Sequence, residues 1–220
     1  MKKSLLLFAA VLFAFSTNSF AQFKLGVTPV TGINFNIHTG SDLPQSGNGF
    51  GFVLGAQADM AFNKSVGLVA GMAFYDNRYG SYSETGSTGG VQYTDDNSSS
   101  ISYFQLESLF KYKLPSNFYF VFGPELGFSL SAEAESETKI TTPGYTFQDG
   151  STTRKTKATI KNTQTRFELK MGAGYEIPIA DNIHLVPQLT FGYGLTNVVE
   201  DVEWKILTFQ ALVGVKFDVL

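Results

Sequence analysis

The chain has 220 residues, with 16 Lys+Arg against 19 Asp+Glu and a formal net charge of −3, which argues against a nucleic-acid partner. It contains no Cys, so disulfides, thiolate metal sites and Cys nucleophiles are excluded together. Only 16% of residues are charged, while 22 Gly, 21 Phe and 10 Tyr are present. A domain whose whole surface meets water normally carries about a quarter charged residues.

In chain order, residues 1–21 read MKKSLLLFAAVLFAFSTNSFA: two lysines, an apolar run from Leu5 to Phe15, and Ser19-Phe20-Ala21 before Gln22. This pattern predicts a cleaved secretory signal peptide over 1–21. No Cys follows the apolar run, so lipoprotein anchoring is excluded. The remaining domain, 22–220, loses Lys2 and Lys3 and carries a net charge of −5. Beyond the leader no run of 18 or more apolar residues occurs, which rules out a membrane-spanning helix there.

Eight segments then show period-two alternation: about 23–37, 50–61, 66–78, 101–113, 118–131, 164–178, 182–196 and 205–219. In the sixth, Arg166, Glu168 and Lys170 alternate with Phe167, Leu169 and Met171, a pattern that only an extended strand sorts onto two faces. Others give long apolar rows, such as Phe118, Phe120, Phe122, Pro124, Leu126, Phe128 and Leu130. A tilted strand needs about 9 to 11 residues to cross a bilayer, against about five or six in soluble sheets. The connections alternate in length. Short turns lie at Phe62–Ser65, Leu114–Asn117 and Ile179–Asn182, whereas 38–49, 79–100, 132–163 and 197–204 are longer and polar. These features predict an all-β fold: an eight-stranded antiparallel up-and-down transmembrane β-barrel with short periplasmic turns and long external loops, located in the cell outer membrane.

Eight strands enclose a space that side chains fill. The residues assigned to that lumen as a structural polar network are Asp59, Glu107, Lys111, Glu125, Arg166, Glu168, Lys170, Glu176 and Lys216, with glycines such as Gly71 and Gly192 making room for them. The apolar rows then meet outer-membrane lipid.

The stretch 101–130, ISYFQLESLFKYKLPSNFYFVFGPELGFSL, carries Tyr103, Lys111-Tyr112-Lys113, the turn Leu114–Asn117, the aromatic strand Phe118–Phe122 and Gly123-Pro124. In these elements the chain resembles the outer-membrane β-barrel domain family, which includes PorT-like and OmpA-like small barrels. The resemblance implies an eight-stranded barrel in the outer membrane. It implies no single activity, although some PorT-like members are linked to secretion.

The sequence offers few residues for chemistry. His38 has Ser41 and Asp42 nearby, and His184 follows a short turn, which would suit a lipid-modifying enzyme only with a geometry that sequence does not give. Glu107 and Glu125 could form a carboxylate pair, but cations assigned to the same lumen favour ion pairing. Asp95-Asp96-Asn97 lacks the spacing of a calcium loop. The expectation is no catalytic site, no metal and no cofactor. In 132–163, Glu133, Glu135 and Glu137 precede the basic return Arg154, Lys155, Lys157 and Lys161, which suits a charge-paired hairpin with Tyr145 and Phe147 near its tip; a disordered loop is the alternative. The functional expectation is a monomeric, non-enzymatic barrel whose external loops contact a protein partner or the environment, with a small channel as the competing reading.

Overall fold

The computed structural model of the chain describes residues 23–219, so the expected signal peptide lies outside the described residues. Among the described residues there are ten strands: β1 (Lys24–Thr39), β2 (Gly47–Ala61), β3 (Val66–Thr88), β4 (Val91–Lys113), β5 (Phe118–Ile140), β6 (Thr153–Thr159), β7 (Arg166–Tyr175), β8 (Ile177–Ala180), β9 (Ile183–Gly194) and β10 (Lys205–Asp218). Neighbours are antiparallel in the order β10-β1-β2-β3-β4-β5-β7-β9, and β9 pairs with β10 to close the ring. Eight strands form the wall, β6 lies off the ring on β5, and β8 pairs with the start of β9.

The period-two pattern fixes the faces. In β2, Phe52 and Leu54 point outward and are exposed, while Val53, Gln57 and Asp59 are buried inside. In β9, Leu189 and Tyr193 face out while Val186, Gln188 and Thr190 face in. The lumen holds two apolar clusters. Ile101, Tyr103, Ala132, Val198, Trp204 and Ile206 cap the end with the long connections, and Val69, Leu109, Tyr119, Val121 and Val186 pack nearer the short turns. No helix of the described residues is long and apolar enough to cross a membrane; the strands carry the apolar surface.

The long connections differ from expectation. Residues 79–100, expected as a loop, are strand: Thr88 pairs with Val91 around Gly89 and Gly90, both at positive φ (60° and 84°). A two-residue turn with both φ positive matches the twist of the flanking strands, so the hairpin continues to its tip. Residues 132–163 form a hairpin rather than a disordered loop, with Glu135 opposite Lys157 and Glu137 opposite Lys155. The connection expected at 38–49 shrinks to residues between Thr39 and Gly47. The segment expected as one strand over 164–178 breaks at Glu176, whose N–H donates to the Asn117 carbonyl and whose carboxylate turns into the lumen. Pro178 in β8 has no N–H with which to extend the ladder.

β3, β4 and β5 are 23 residues long, against 10 for β7. Their excess length, joined by β6, makes a four-stranded sheet that projects beyond the wall. A bulge in β3 is the other departure: Ala73 pairs with Gln105 but Asp76 pairs with Tyr103, so one extra residue is accommodated near Phe74-Tyr75. A bulge reverses the inward and outward parity of everything beyond it.

A closed ring has no edge strand from which to unravel. The folded barrel in detergent is therefore expected to migrate as a compact species in gel electrophoresis unless boiled, and as an expanded one after boiling. Identical mobility of a sample shown by circular dichroism to be folded would contradict ring closure.

Candidate functional site

The lumen is built in layers of charge. Near the short turns, Glu176 accepts hydrogen bonds from Lys111 Nζ at 2.6 Å and Lys216 Nζ at 3.2 Å, and it also pairs with Lys113. Asp59 from β2 pairs with Lys111 and lies 3.4 Å from Lys216. In the next layer Glu107 and Glu125 stand opposite each other on β4 and β5. Lys170 bridges them, donating to Glu107 at 2.9 Å and pairing with Glu125, so the two carboxylates share one cation. Gln57 donates to Glu107 at 2.8 Å. Above this, Arg166 pairs with Glu168 and reaches the Ile206 carbonyl and the Thr208 hydroxyl at 3.3 Å each.

All nine residues assigned to the lumen from sequence sit inside the wall. Two further charges join them, Asp76 and Arg78, which are fully buried and paired with each other, with Arg78 also 3.6 Å from Glu125. Sequence analysis assigned neither to a face; unbroken alternation from Phe74 would point both outward, and the β3 bulge turns them inward. The available signal was the implausibility of Asp and Arg continuing an apolar row. Asn34 donates to Asp76 at 2.5 Å and Asn36 donates to Asn34 at 2.8 Å, so the network reaches β1.

Glycine supplies the room. A Cβ at Gly71 would collide with the Glu107 carboxylate, and one at Gly192 with the Glu168 carboxylate. Between the layers a cavity of about 20 Å³ touches Gln57, Glu107, Glu125, Lys170 and Gln210. That is space for about one water molecule.

Outside the wall, Glu137 meets Lys155 at 2.8 Å and Glu133 meets Lys157 at 3.2 Å across the β5–β6 hairpin. The Glu137 hydrogen bond raises the Lys155 ammonium above its ordinary pKa. Glu135 instead borders a pocket shared with His38, Ser99 and Trp204. Tyr145 is exposed at the tip, and Phe147 lies under the Arg154 guanidinium at 4.5 Å.

The grouping of His38 with Ser41 and Asp42 does not form. The Ser41 hydroxyl donates to Glu203 Oε2 at 2.7 Å, and Asp42 accepts the Glu203 N–H at 2.7 Å. His38 meets Ser99 and Trp204 instead. Trp204 Nε1–H, which can only donate, points at His38 Nδ1 at 3.2 Å, with Ser99 Oγ 3.3 Å from the same nitrogen. His38 Nε2 has no hydrogen-bond partner among the described residues, so no carboxylate orients this ring. His184 Nδ1 is 3.7 Å from Asp218. Asp95-Asp96-Asn97, expected at a loop tip, lies within β4, where Asp96 accepts from the Ser83 hydroxyl.

No curated protein sequence matches the chain. Among solved structures it is similar to Ail, the attachment invasion locus protein of Yersinia pestis, at 11% identity over 87% of this chain and 98% of that one, with a TM-score of 0.43. It is also similar to OprG of Pseudomonas aeruginosa (11% identity, 89% and 96% of the two chains, TM-score 0.40) and to the outer membrane protease OmpT of Escherichia coli (10%, 93% and 99%, TM-score 0.39). Those three differ in what their names describe, and at such identities none lends its role to this chain. The sequence itself matches the outer membrane protein β-barrel domain over residues 14–200. With the closed ring, the outward apolar rows and this match, the chain belongs to the outer membrane protein β-barrel domain family, and its place is the cell outer membrane.

Proposed function

We propose that this is a non-enzymatic barrel with an ion-paired, closed lumen, and that its projecting sheet binds an extended polypeptide at the cell surface by strand addition. The observation that carries this reading is the sheet formed by the upper parts of β3 to β6. It has two unpaired edges, because β3 loses β2 as a partner beyond Ser81 and β6 pairs only with β5. An unpaired edge offers a row of N–H and C=O groups to an incoming strand. The two edges are not equal. Arg154, Lys155 and Lys157 blunt β6, as edge lysines do, whereas the β3 edge from Tyr82 to Thr88 carries a single charge, Glu84. The β3 edge is therefore the docking edge.

The enzymatic reading has one point in its favour, the Ser99–His38 contact. It lacks a carboxylate on the ring, and Trp204 competes for the nitrogen that a serine would need. The channel reading requires a water path through layers whose intervening cavity holds about one water molecule.

The test uses the full barrel and a shortened form in which residues 82–97 are replaced by Asn-Gly. Cell-surface proteins retained by the first and lost by the second are the expected result, together with slowed amide exchange over Tyr82–Thr88 when the retained protein is added back. Equal retention by both forms, or unchanged exchange, would refute the docking edge. Stable single-channel conductance by the unmodified barrel would replace this reading with a channel.

A further inference from the structure

At the periplasmic end the turns and strand ends surround a cavity of about 780 Å³, a volume in the range of small-molecule sites. Its lining contains Lys24, Lys64, Lys111, Lys113 and Lys216, against the carboxylates Asp59, Glu176 and Asp218. Three of the lysines are engaged: Lys111 and Lys113 pair with Glu176, and Lys216 touches Glu176, Asp59 and Asp218 at 3.2 to 3.4 Å. Lys24 and Lys64 line the same cavity and, among the described residues 23–219, pair with no carboxylate.

Among the described residues the lining thus has two more lysines than carboxylates, in a chain whose net charge is −3. A cleft with an excess of one sign of charge and low-dielectric walls biases its field toward that sign and concentrates ions of the opposite sign. Lysine ammonium groups carry three donors each on flexible stems and bind phosphate and carboxylate oxygens as point charges. The deeper part of the site, around Glu176, lies inside the ring, where paired strands separate it from the lipid beside the wall.

We propose that the periplasmic mouth binds a small polyvalent oxyanion, a phosphate- or carboxylate-bearing solute of the periplasm. The exposed lysines Lys24 and Lys64 supply attraction at the rim, and the lysines around Glu176 supply donors deeper in. This site is independent of the external sheet, and its failure would leave the docking edge untouched.

The experiment is isothermal titration of the full barrel, refolded in zwitterionic lipid nanodiscs, with inorganic pyrophosphate and separately with citrate. Saturable binding in the submillimolar range to at least one probe is expected. The Lys24→Gln/Lys64→Gln variant should bind about tenfold more weakly, since two exposed charges are lost, while keeping its heat-modifiable migration. Glu176→Gln removes a competing anion and should bind more tightly. Added salt should weaken all three. Absence of saturation up to about 10 mM of either probe, or equal affinity in the wild type and the double lysine variant, would overturn the proposal. So would a loss of binding in Lys155→Gln/Lys157→Gln, which alters only the opposite end.

Discussion

Arg78→Ala is expected to lower the stability of the barrel in lipid vesicles by about 3 to 5 kcal/mol, measured by reversible urea unfolding, the range for removing one partner of a buried ion pair. Arg78 is fully buried, pairs with Asp76 and lies 3.6 Å from Glu125. Asp76 is also fully buried and holds Asn34 at 2.5 Å and Gln210 at 3.5 Å, so its carboxylate cannot swing out to water when the guanidinium is removed. Lys157→Ala provides the comparison. Its partner Glu133 is 3.2 Å away and both side chains are more than half exposed, so the change should cost about 1 kcal/mol or less. The double variant Asp76→Asn/Arg78→Met should recover much of the loss, because most of the cost is an uncompensated buried charge rather than the net worth of the pair. Should Arg78→Ala cost no more than Lys157→Ala, the lumen must admit enough water to solvate Asp76, and a closed lumen becomes untenable.

The wall of the barrel was legible because alternation is a local property of each strand. Phe167, Leu169 and Met171 against Arg166, Glu168 and Lys170 define two faces with no knowledge of the neighbouring strands, and lipid outside with paired charge inside is the arrangement that satisfies both. The bulge in β3 was not legible in that way. It depends on the register against β2 and β4, and a single extra residue near Phe74 places Asp76 and Arg78 in the lumen, where unbroken alternation would have pointed them outward. The upper hairpin of β3 and β4 was missed for a different reason. Its residues are polar on both faces, so no hydrophobic alternation marks them, and the only local sign was Gly89-Gly90, a pair suited to a two-residue turn. The acidic and basic rows of β5 and β6 were visible because cross-strand charge has its own period of two. The His38 environment lay beyond sequence, since Ser99 and Trp204 are 61 and 166 residues away along the chain.

The outer face allows a sharper test than the lumen, because depth and exposure can be varied separately there. Leu189 is 67% exposed in the middle of β9, opposite Ala173 of β7 and Ala211 of β10. An arginine at this position would stand in hydrocarbon with alanines directly opposite and Pro187 and Phe191 along its own strand, none offering a side-chain acceptor for its donors. Leu189→Arg is therefore expected to cost about 2 to 4 kcal/mol in lipid vesicles. Ile179 in β8 is 62% exposed, nearly the same, but lies beside the periplasmic turn, where an arginine reaches the headgroup region. Ile179→Arg should cost about 0 to 1 kcal/mol. Matched exposure makes the difference between the two variants a measure of depth in the bilayer, and a soluble sheet would show no such gradient. Equal costs at the two positions would mean that the apolar rows do not face a hydrocarbon layer of bilayer thickness, and the short turns would lose their assignment to the membrane boundary.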